Sequence, residues 1–311
     1  MNVGILGTGF GVHHAELYRK IEGVDSITIF GRDEEKLERI RKEHPIHTTN
    51  EITDILENPT IDLVDVCLPS SLHKQYVIEA LKNGKHVFCE TPVALTMENA
   101  EAMLIAEQKY GRKVFVNQFI KHEHPYEYLY AEIQNEALGK LKSLHIKRMT
   151  PPLWGDLSLH KITTDLMIHD FDFVTWLLGS PSNITSQGKN SKQGQSYALV
   201  ILNYDETVVR VEGSSMMPFG HPFTVGYEAI FDNGSITYQE DGYEDRNETK
   251  FLRSTHNNLE QIELIHKNCY EESIREVIDC CKNDSPSRLS LKAAVEALAV
   301  SIEAKEQLLT Q

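Results

Sequence analysis

The segment from Thr164 to Leu178, TDLMIHDFDFVTWLL, carries the residue types in this sequence that are best suited to moving a proton. Its pattern predicts a helix that places Asp165, His169 and Asp172 at positions i, i+4 and i+7, which share one helical face. A histidine beside a carboxylate can act as a general base, because the carboxylate fixes the imidazole tautomer and keeps its pKa near working pH. The alternative is a structural His–Asp hydrogen bond in a buried helix.

Length and charge narrow the class of protein that could contain this helix. A chain of 311 residues exceeds what one hydrophobic core usually supports, so we expect two domains. The net charge of −15 argues against a nucleic-acid partner or an anionic membrane surface. No stretch has the ~18 apolar residues of a membrane-spanning helix, and the N-terminus does not resemble a signal peptide. Five cysteines without metal-ligand spacing predict no metal site and fit a reducing cytoplasm.

The N-terminus has the pattern of a strand, a glycine-rich turn and a helix. The apolar run Val3–Leu6 stops at GTGFG, residues 7–11, and an amphipathic segment follows. Glycines in this position let the backbone approach a pyrophosphate at a helix N-terminus, although they also serve turns that bind nothing. The third glycine of G-x-G-x-x-G would stand at Val12, so the match is one residue short. The predicted cofactor contacts here are Gly7, Gly9, Phe10 and Gly11.

Strand and helix patterns alternate through the first 116 residues. The predicted strands after the first are 26–30, 61–68, 86–89 and 113–116, and the predicted helices are 34–43, 72–83 and 97–110. This alternation predicts a parallel sheet with helices on both faces and a nucleotide at the carboxyl ends of its strands.

The end of the second strand indicates which cofactor binds. An acidic residue there suits the ribose 2′-hydroxyl of NAD, whereas an arginine suits the 2′-phosphate of NADP. The strand ends Phe30-Gly31-Arg32-Asp33. We therefore expect NADP(H), with Arg32 on the phosphate and NAD as the alternative. Arg32 could instead be a solvated side chain beside Asp33, a residue that suits a helix N-cap.

Three motifs occur together in the order VGILGTGFG, CLPSSLHKQYVIEALKNGKHVFCETP and DLMIHDFDFVTWLLGSP. In this order and spacing they resemble the Gfo/Idh/MocA oxidoreductases, relatives of glucose–fructose oxidoreductase and inositol dehydrogenase. The resemblance implies an α/β protein in two domains. Residues 1–120 would form a Rossmann NAD(P)-binding domain, and residues 121–311 an α+β domain with a large, open, mostly antiparallel sheet for substrate binding and oligomerisation.

The second half of the sequence is consistent with that expectation. The predicted strands are 197–204, 207–214, 227–231 and 235–239, and the predicted helices are 270–282 and 290–309. Asn233-Gly234 predicts a type I′ hairpin turn between two of these strands. Residues 188–196 predict a polar loop.

The resemblance also implies a set of site residues. The nicotinamide end of the family's site uses a Glu-Lys-Pro motif, which corresponds here to Glu90, Thr91 and Pro92, so a threonine replaces the motif lysine. A neutral hydroxyl cannot supply the positive charge of that lysine. The other implied cofactor contacts are Leu68, Pro69 and His73.

At the substrate end, the family's Asp-x-x-x-His pattern matches Asp165 and His169. Lys121 or His122 could supply a missing hydrogen-bond donor, although the HEH sequence is also typical of a solvated helix start. For His13 and His14, at the start of the first helix, surface or capping roles are expected.

These features predict a cytoplasmic NAD(P)-dependent dehydrogenase or reductase that acts on the hydroxyl or carbonyl carbon of a sugar, polyol or cyclitol. His169, oriented by Asp165, would transfer the proton, with Thr91 beside the reacting groups. A homodimer or homotetramer is expected, built on the open sheet of the second domain. The rival hypothesis is a nucleotide-binding sensor or regulator of the same fold that has lost turnover because the motif lysine is Thr91.

Overall fold

The computed structural model describes residues 1–310, which divide into two compact units. The first comprises Met1–Phe119 and Asn268–Val295, and the second comprises residues 120–267 and 296–310. The predicted division at residue 120 did not anticipate that residues 268–295 group with the first unit. Within the described residues, no helix combines the length and apolar character that crossing a membrane requires.

The first unit is built on a six-stranded parallel sheet in the order β3-β2-β1-β4-β5-β6. Its strands are β1 (Asn2–Leu6), β2 (Ser26–Phe30), β3 (His47–Thr49), β4 (Leu63–Val66), β5 (His86–Cys89) and β6 (Val114–Val116). Its helices are α1 (Gly11–Tyr18), α2 (Glu34–Glu43), α3 (Thr53–Leu56), α4 (His73–Lys82) and α5 (Met97–Tyr110), together with α9 (Cys269–Asn283). The predicted Rossmann sheet is confirmed. The sequence did not predict β3 or α3, which are too short to show a periodic pattern.

Helix α9 joins the first unit because its apolar face packs against α1. Ile274, Val277 and Ile278 belong to the same buried cluster as Leu17 and Ile21. Full burial of such side chains contributes roughly 1.5–3 kcal/mol each, which is sufficient to fix the helix on this unit.

The second unit is built on an eight-stranded sheet in the order β14-β13-β12-β11-β7-β10-β9-β8. Its strands are β7 (Leu141–Met149), β8 (Asn183–Asn190), β9 (Ser196–Asn203), β10 (Val208–Ser214), β11 (Phe223–Phe231), β12 (Gly234–Gly242), β13 (Asn247–Thr255) and β14 (Leu259–Gln261). Its helices are α6 (His124–Asn135), α7 (Ile162–Asp165) and α8 (Ile168–Leu178), together with most of α10 (Leu291–Leu309), whose first five residues belong to the first unit. Only the β7–β10 pair is parallel among the described strands of this sheet, so the predicted mostly antiparallel sheet is confirmed. The predicted loop 188–196 is shorter in the structure, because β8 continues to Asn190 and β9 begins at Ser196.

The hairpin between β11 and β12 differs from the predicted type I′ turn. Phe231 pairs with Gly234, so the two loop residues are Asp232 and Asn233. In the described chain, the non-glycine residues with positive φ are Glu136 and Asp284, whereas a type I′ turn requires positive φ at both loop positions. Gly234 serves packing instead, since a Cβ there would lie 2.4 Å from the Ser254 carbonyl oxygen.

The predicted continuous helix over residues 164–178 is wrong, because the chain forms α7 and α8 with a break between them. The carbonyl of Ile162 accepts hydrogen bonds from the backbone N–H of both Leu166, at 3.1 Å, and Met167, at 2.9 Å. The second bond spans five residues and widens the turn. Asp165 therefore ends one helix and His169 lies in the first turn of the next, so the two residues do not share one helical face.

Candidate active site

The glycine turn after β1 leaves open space at one position. Gly7 has φ +110°, and a Cβ there would lie 2.6 Å from the Cys67 carbonyl oxygen. A Cβ on Gly11, the first residue of α1, would lie 2.8 Å from Ile5 Cγ2, whereas a Cβ on Gly9 would meet no atom within 4 Å. Gly7 and Gly11 are thus required by packing. Gly9 leaves the space that a pyrophosphate at this helix N-terminus needs, so the turn fits a dinucleotide.

The end of β2 presents an arginine rather than a carboxylate to solvent. Asp33 is the N-cap of α2, and its side chain accepts a hydrogen bond from the Lys36 backbone N–H at 3.0 Å. Arg32 beside it is exposed. The carboxylate is engaged by the helix, whereas the guanidinium is accessible to a ligand.

His73 holds together the two segments that follow β4 and β5. Its Nδ1 lies 3.0 Å from the Pro92 carbonyl oxygen, and its Nε2 lies 2.8 Å from the Leu68 carbonyl oxygen. Burial lowers the pKa of His73, while hydrogen bonds to the Leu68 and Pro92 carbonyl oxygens oppose this effect. Both ring nitrogens face backbone oxygens, so His73 shapes the edge of the sheet where Leu68, Pro69 and Pro92 were predicted to meet a cofactor.

Glu90 and Thr91 follow β5 directly. The Thr91 backbone N–H donates to Glu90 Oε2 at 3.3 Å, and Asn117 Nδ2 donates to Glu90 Oε1 at 2.6 Å. The same Oε1 lies 3.1 Å from His14 Nε2. Both oxygens of the Glu90 carboxylate are therefore held, and Thr91 stands at the position that the family resemblance assigns to a lysine.

His14 is fully buried, so the expected surface or capping role is wrong. Its Nδ1 lies 2.7 Å from Asp65 Oδ2, and Asp65 is also fully buried. Sequence reasoning missed both residues. The signal that could have revealed them is a single aspartate within the apolar strand β4, LVDV, because a buried carboxylate requires a partner.

In the second unit, helix α8 is fixed by two buried ion pairs, and both use aspartates that follow His169 in the first two turns of the helix. Arg148 of β7 donates from Nε to Asp170 Oδ2 at 2.9 Å and from Nη2 to Asp170 Oδ1 at 2.8 Å. Lys121 Nζ donates to Asp172 Oδ1 at 2.9 Å. A bidentate Arg–carboxylate pair restrains orientation as well as distance. These contacts limit how the first turn of α8 can rotate.

Lys121 and His122 lie in the 3-10 turn Phe119–His122, and both are buried. The Lys121 ammonium also lies 6.0 Å from the centroid of the Trp176 ring. This ammonium is fully buried and paired with Asp172, so it helps to hold α8, and its predicted contact with a substrate stays a prediction.

His169 has a neutral imidazole. Burial, assisted by the Arg148 guanidinium, lowers its pKa to about 3, so the expectation of a pKa near working pH is wrong. Its predicted partner Asp165 is exposed and accepts a hydrogen bond from Thr164 Oγ1 at 2.7 Å. The charged group that dominates at His169 is thus a cation, whereas the sequence indicated a carboxylate.

A parallel sheet with a glycine turn after its first strand is typical of dinucleotide-binding proteins. The class of reaction follows from comparison with known families. Residues 1–118 match the oxidoreductase family with an NAD-binding Rossmann fold, and residues 126–237 match the GFO/IDH/MocA C-terminal domain. The class is therefore an NAD-binding oxidoreductase. The chain belongs to the Gfo/Idh/MocA family.

Individual relatives agree with this assignment. The inositol 2-dehydrogenase of Acidothermus cellulolyticus is 26% identical over 248 residues, which cover 76% of this chain and 72% of the relative. The myo-inositol 2-dehydrogenase of Thermotoga maritima is 27% identical over 187 residues, or 58% and 55% of the two chains, so the match spans about half of that relative. The structure of an oxidoreductase from Agrobacterium radiobacter, in complex with NAD+, L-tartaric acid and magnesium, has a TM-score of 0.87 at 17% identity and covers 99% of this chain and 96% of that one. At that identity it shows the fold alone.

Proposed function

We propose that the protein transfers a hydride between NADP(H) and the CH–OH carbon of a polyol, sugar or cyclitol, with His169 as the proton-transfer residue. The observation that carries the proposal is a neutral imidazole on a helix that two buried ion pairs fix. The relative from Acidothermus cellulolyticus is named an inositol 2-dehydrogenase, which makes inositols the first substrates to test.

The protein's own residues would handle the proton and the orientation of the substrate. A bound nicotinamide supplies the hydride acceptor or donor. Neutral His169 can accept the hydroxyl proton as the hydride leaves, because loss of hydride makes that hydroxyl strongly acidic. Exposed Asp165 would bind a substrate hydroxyl, and Thr91 offers a neutral hydroxyl where the motif lysine would have given a charge.

The direct test is a panel of inositols, other polyols and sugars with NAD+ and NADP+ and, in reverse, of their ketones with NADH and NADPH. Oxidation of at least one cyclitol or polyol is expected. The rival function, a sensor that binds the nucleotide without turnover, is favoured by Thr91. It predicts tight NAD(P)H binding, visible as fluorescence, and no product from any member of the panel.

The cofactor preference is proposed to be NADP(H), supported by exposed Arg32 and by Asp33 being engaged as a helix cap. Arg32→Ala is expected to weaken NADPH binding by about 1.5–3 kcal/mol, the usual contribution of a charge-assisted contact, and to leave NADH binding nearly unchanged. Isothermal titration with both cofactors measures this difference.

The matched control is Arg19→Ala, which removes an exposed arginine at the far end of α1. It should leave both affinities unchanged. Equal losses for NADPH and NADH in Arg32→Ala, or tighter binding of NADH than NADPH by the parent, would refute the NADP assignment and favour NAD.

A homodimer or homotetramer is proposed to form through the open face of the second sheet. That face is less apolar than the sequence indicated, because it combines Leu199 and Ile201 of β9 with polar side chains. Two of these are His145 and Glu212, whose Nε2 and Oε2 atoms lie 2.9 Å apart. Such a mixture is usual for protein interfaces.

Light scattering should therefore give a multiple of 35.4 kDa. Ile201→Lys should shift the protein towards monomer, while Ile105→Lys on α5 of the other unit should not. A parent mass of 35.4 kDa at micromolar concentration contradicts the prediction.

The remaining proposals concern location and partners. A cytoplasmic protein is proposed, supported by five free cysteine thiols in the described chain. The proposed partners are a small carbohydrate or polyol and further copies of the chain. The net charge of −15 argues against nucleic acid and membrane surfaces as partners.

A further inference from the structure

The first unit contains a buried polar group that the proposed chemistry does not use. It consists of His14 of α1, Asp65 of β4, and Cys67, Glu90 and Asn117, which directly follow β4, β5 and β6. We call these five residues the His14 cluster. His14, Asp65 and Asn117 are buried, Cys67 is partly buried, and the Glu90 side chain retains 19% exposure.

The geometry of the His14 cluster suits a protonated histidine. Nδ1 lies 2.7 Å from Asp65 Oδ2, and Nε2 lies 3.1 Å from Glu90 Oε1. A neutral imidazole would direct a nitrogen lone pair at one of these carboxylates, whereas an imidazolium donates to both. Burial lowers the pKa of His14, but the neighbouring Asp65 carboxylate opposes this effect, and the pKa is raised well above the usual value.

The cluster therefore has a net charge of −1. The imidazolium contributes +1, and the Asp65 and Glu90 carboxylates contribute −1 each. Burial raises the pKa of Cys67, so this residue remains a thiol and donates to Asp65 Oδ1 at 3.3 Å. Asp65 is enclosed by its partners, which leaves Glu90 as the member that presents charge at the edge of the sheet.

A hydrogen-bonded proton explains this arrangement better than a metal ion does. Ligand atoms of His14, Asp65 and Cys67 all lie within 4.8 Å of one another. Two ligands on tetrahedral zinc with bonds of about 2.0–2.1 Å would be about 3.3 Å apart. The 2.7 Å between Nδ1 and Oδ2 is instead a hydrogen-bond distance, so a proton lies between them.

Glu90 lies at the half of the sheet that takes the nicotinamide of a bound dinucleotide. In a Rossmann sheet the two nucleotide halves bind on either side of the switch between the first strand and the fourth. Arg32 follows β2, on the adenosine side, whereas Glu90 and Asn117 follow β5 and β6 on the other side. The oxidised nicotinamide ring is positively charged and the reduced ring is neutral, so a fixed carboxylate distinguishes between them.

We propose that Glu90, held by His14 and Asn117, makes this protein bind oxidised cofactor more tightly than reduced cofactor. His14 and Asn117 are positioning residues, because they act through Glu90. Thr91 strengthens the effect, since a neutral residue in place of the motif lysine leaves the carboxylate charge uncompensated within the Glu90-Thr91-Pro92 segment. The inference rests on the proposed function, because it requires NAD(P)(H) in the first unit.

The test is equilibrium binding of NADP+ and NADPH, and of NAD+ and NADH, to the full chain and to Glu90→Gln. The amide keeps the shape of the side chain and removes its charge. We expect NADP+ to bind about tenfold more weakly, the change that one pKa unit of charge interaction corresponds to, and NADPH binding to change by less than about twofold. The control is Glu22→Gln, an exposed glutamate in the loop after α1 at the opposite edge of the sheet, which should change neither affinity.

The outcomes separate the two proposals. A parent protein that binds none of the four nucleotides refutes the proposed function. A parent that binds them, with equal changes or no change for both redox forms in Glu90→Gln, overturns the inference about Glu90 alone.

A measurement on the parent keeps the test decisive if Glu90→Gln fails to fold. Nitrogen NMR of His14 at pH 7.5 should show both ring nitrogens protonated. The His14 pKa should be lower in the NADP+ complex than in the NADPH complex, because the cationic ring weakens the pull of Glu90 on the imidazolium. A neutral His14, or the same pKa in both complexes, overturns the proposal.

Discussion

His169→Ala is expected to lower turnover about 100-fold, with little change in cofactor affinity. General acid–base residues contribute roughly 10²–10⁴ in rate, and the contribution is greatest when the pKa lies near working pH. The pKa of His169 is lowered to about 3, so it is a weak base and the low end of that range applies. Steady-state kinetics on a substrate that the parent oxidises gives the measurement.

The pH profile tests the same assignment independently. Because its pKa is about 3, His169 is already neutral throughout the range from pH 5 to 8. His169 should therefore cause no break near pH 6.5 in the pH profile of the parent's kcat/KM. The profile of His169→Ala should have the same shape in this range. The matched control is His256→Ala, an exposed histidine in the turn after β13, which should keep the parent's rate. A rate close to the parent's in His169→Ala would exclude a role in proton transfer.

Asp170→Asn is expected to destabilise the second unit by about 3–5 kcal/mol, because it leaves the guanidinium of Arg148 buried without a countercharge. Both partners are buried and joined by two hydrogen bonds. The two tryptophans, Trp154 and Trp176, lie in the second unit, so their fluorescence during urea denaturation reports its unfolding.

Two further variants distinguish the loss of stability caused by a buried unpaired charge from a loss that any substitution of an ion pair would cause. Arg148→Met combined with Asp170→Leu should recover most of the lost stability, since removing both charges removes the desolvation cost. Arg246→Met breaks an ion pair with Glu248 in which both side chains are more than half exposed, and it should cost less than about 1 kcal/mol. A loss in Asp170→Asn as small as in this control would show that the buried pair does not stabilise α8.

Local sequence patterns determined most of the first unit. The bounds of β2, α2, β5 and α5 agree with the structure to the residue, because each combines a clear periodicity with a local end signal. Asp33 caps α2, Thr96 caps α5, and Gly111 ends α5 with a left-handed backbone. The mostly antiparallel second sheet followed from the family resemblance and from alternating strands. These features depend on neighbours in sequence or on known motifs, so the sequence was sufficient to predict them.

Sequence also identified the candidate chemical groups but not their surroundings. Asp165 and His169 were singled out by spacing on one continuous helix. The structure breaks that helix between them, because the Ile162 carbonyl takes the N–H of Met167 as well as that of Leu166. Burial lowers the pKa of His169, assisted by Arg148, which comes from a strand 21 residues earlier in the chain.

Only the tertiary structure decided which buried charges meet. His14 is separated from Asp65 by 51 residues in sequence, and Lys121 is separated from Asp172 by 51, yet each pair is in direct contact. A charged side chain has no preferred partner in the local sequence pattern, and its protonation depends on which groups and how much solvent the fold places around it. The sequence therefore determined the elements and the reactive residue types, while packing between distant segments decided their partners and their charge states.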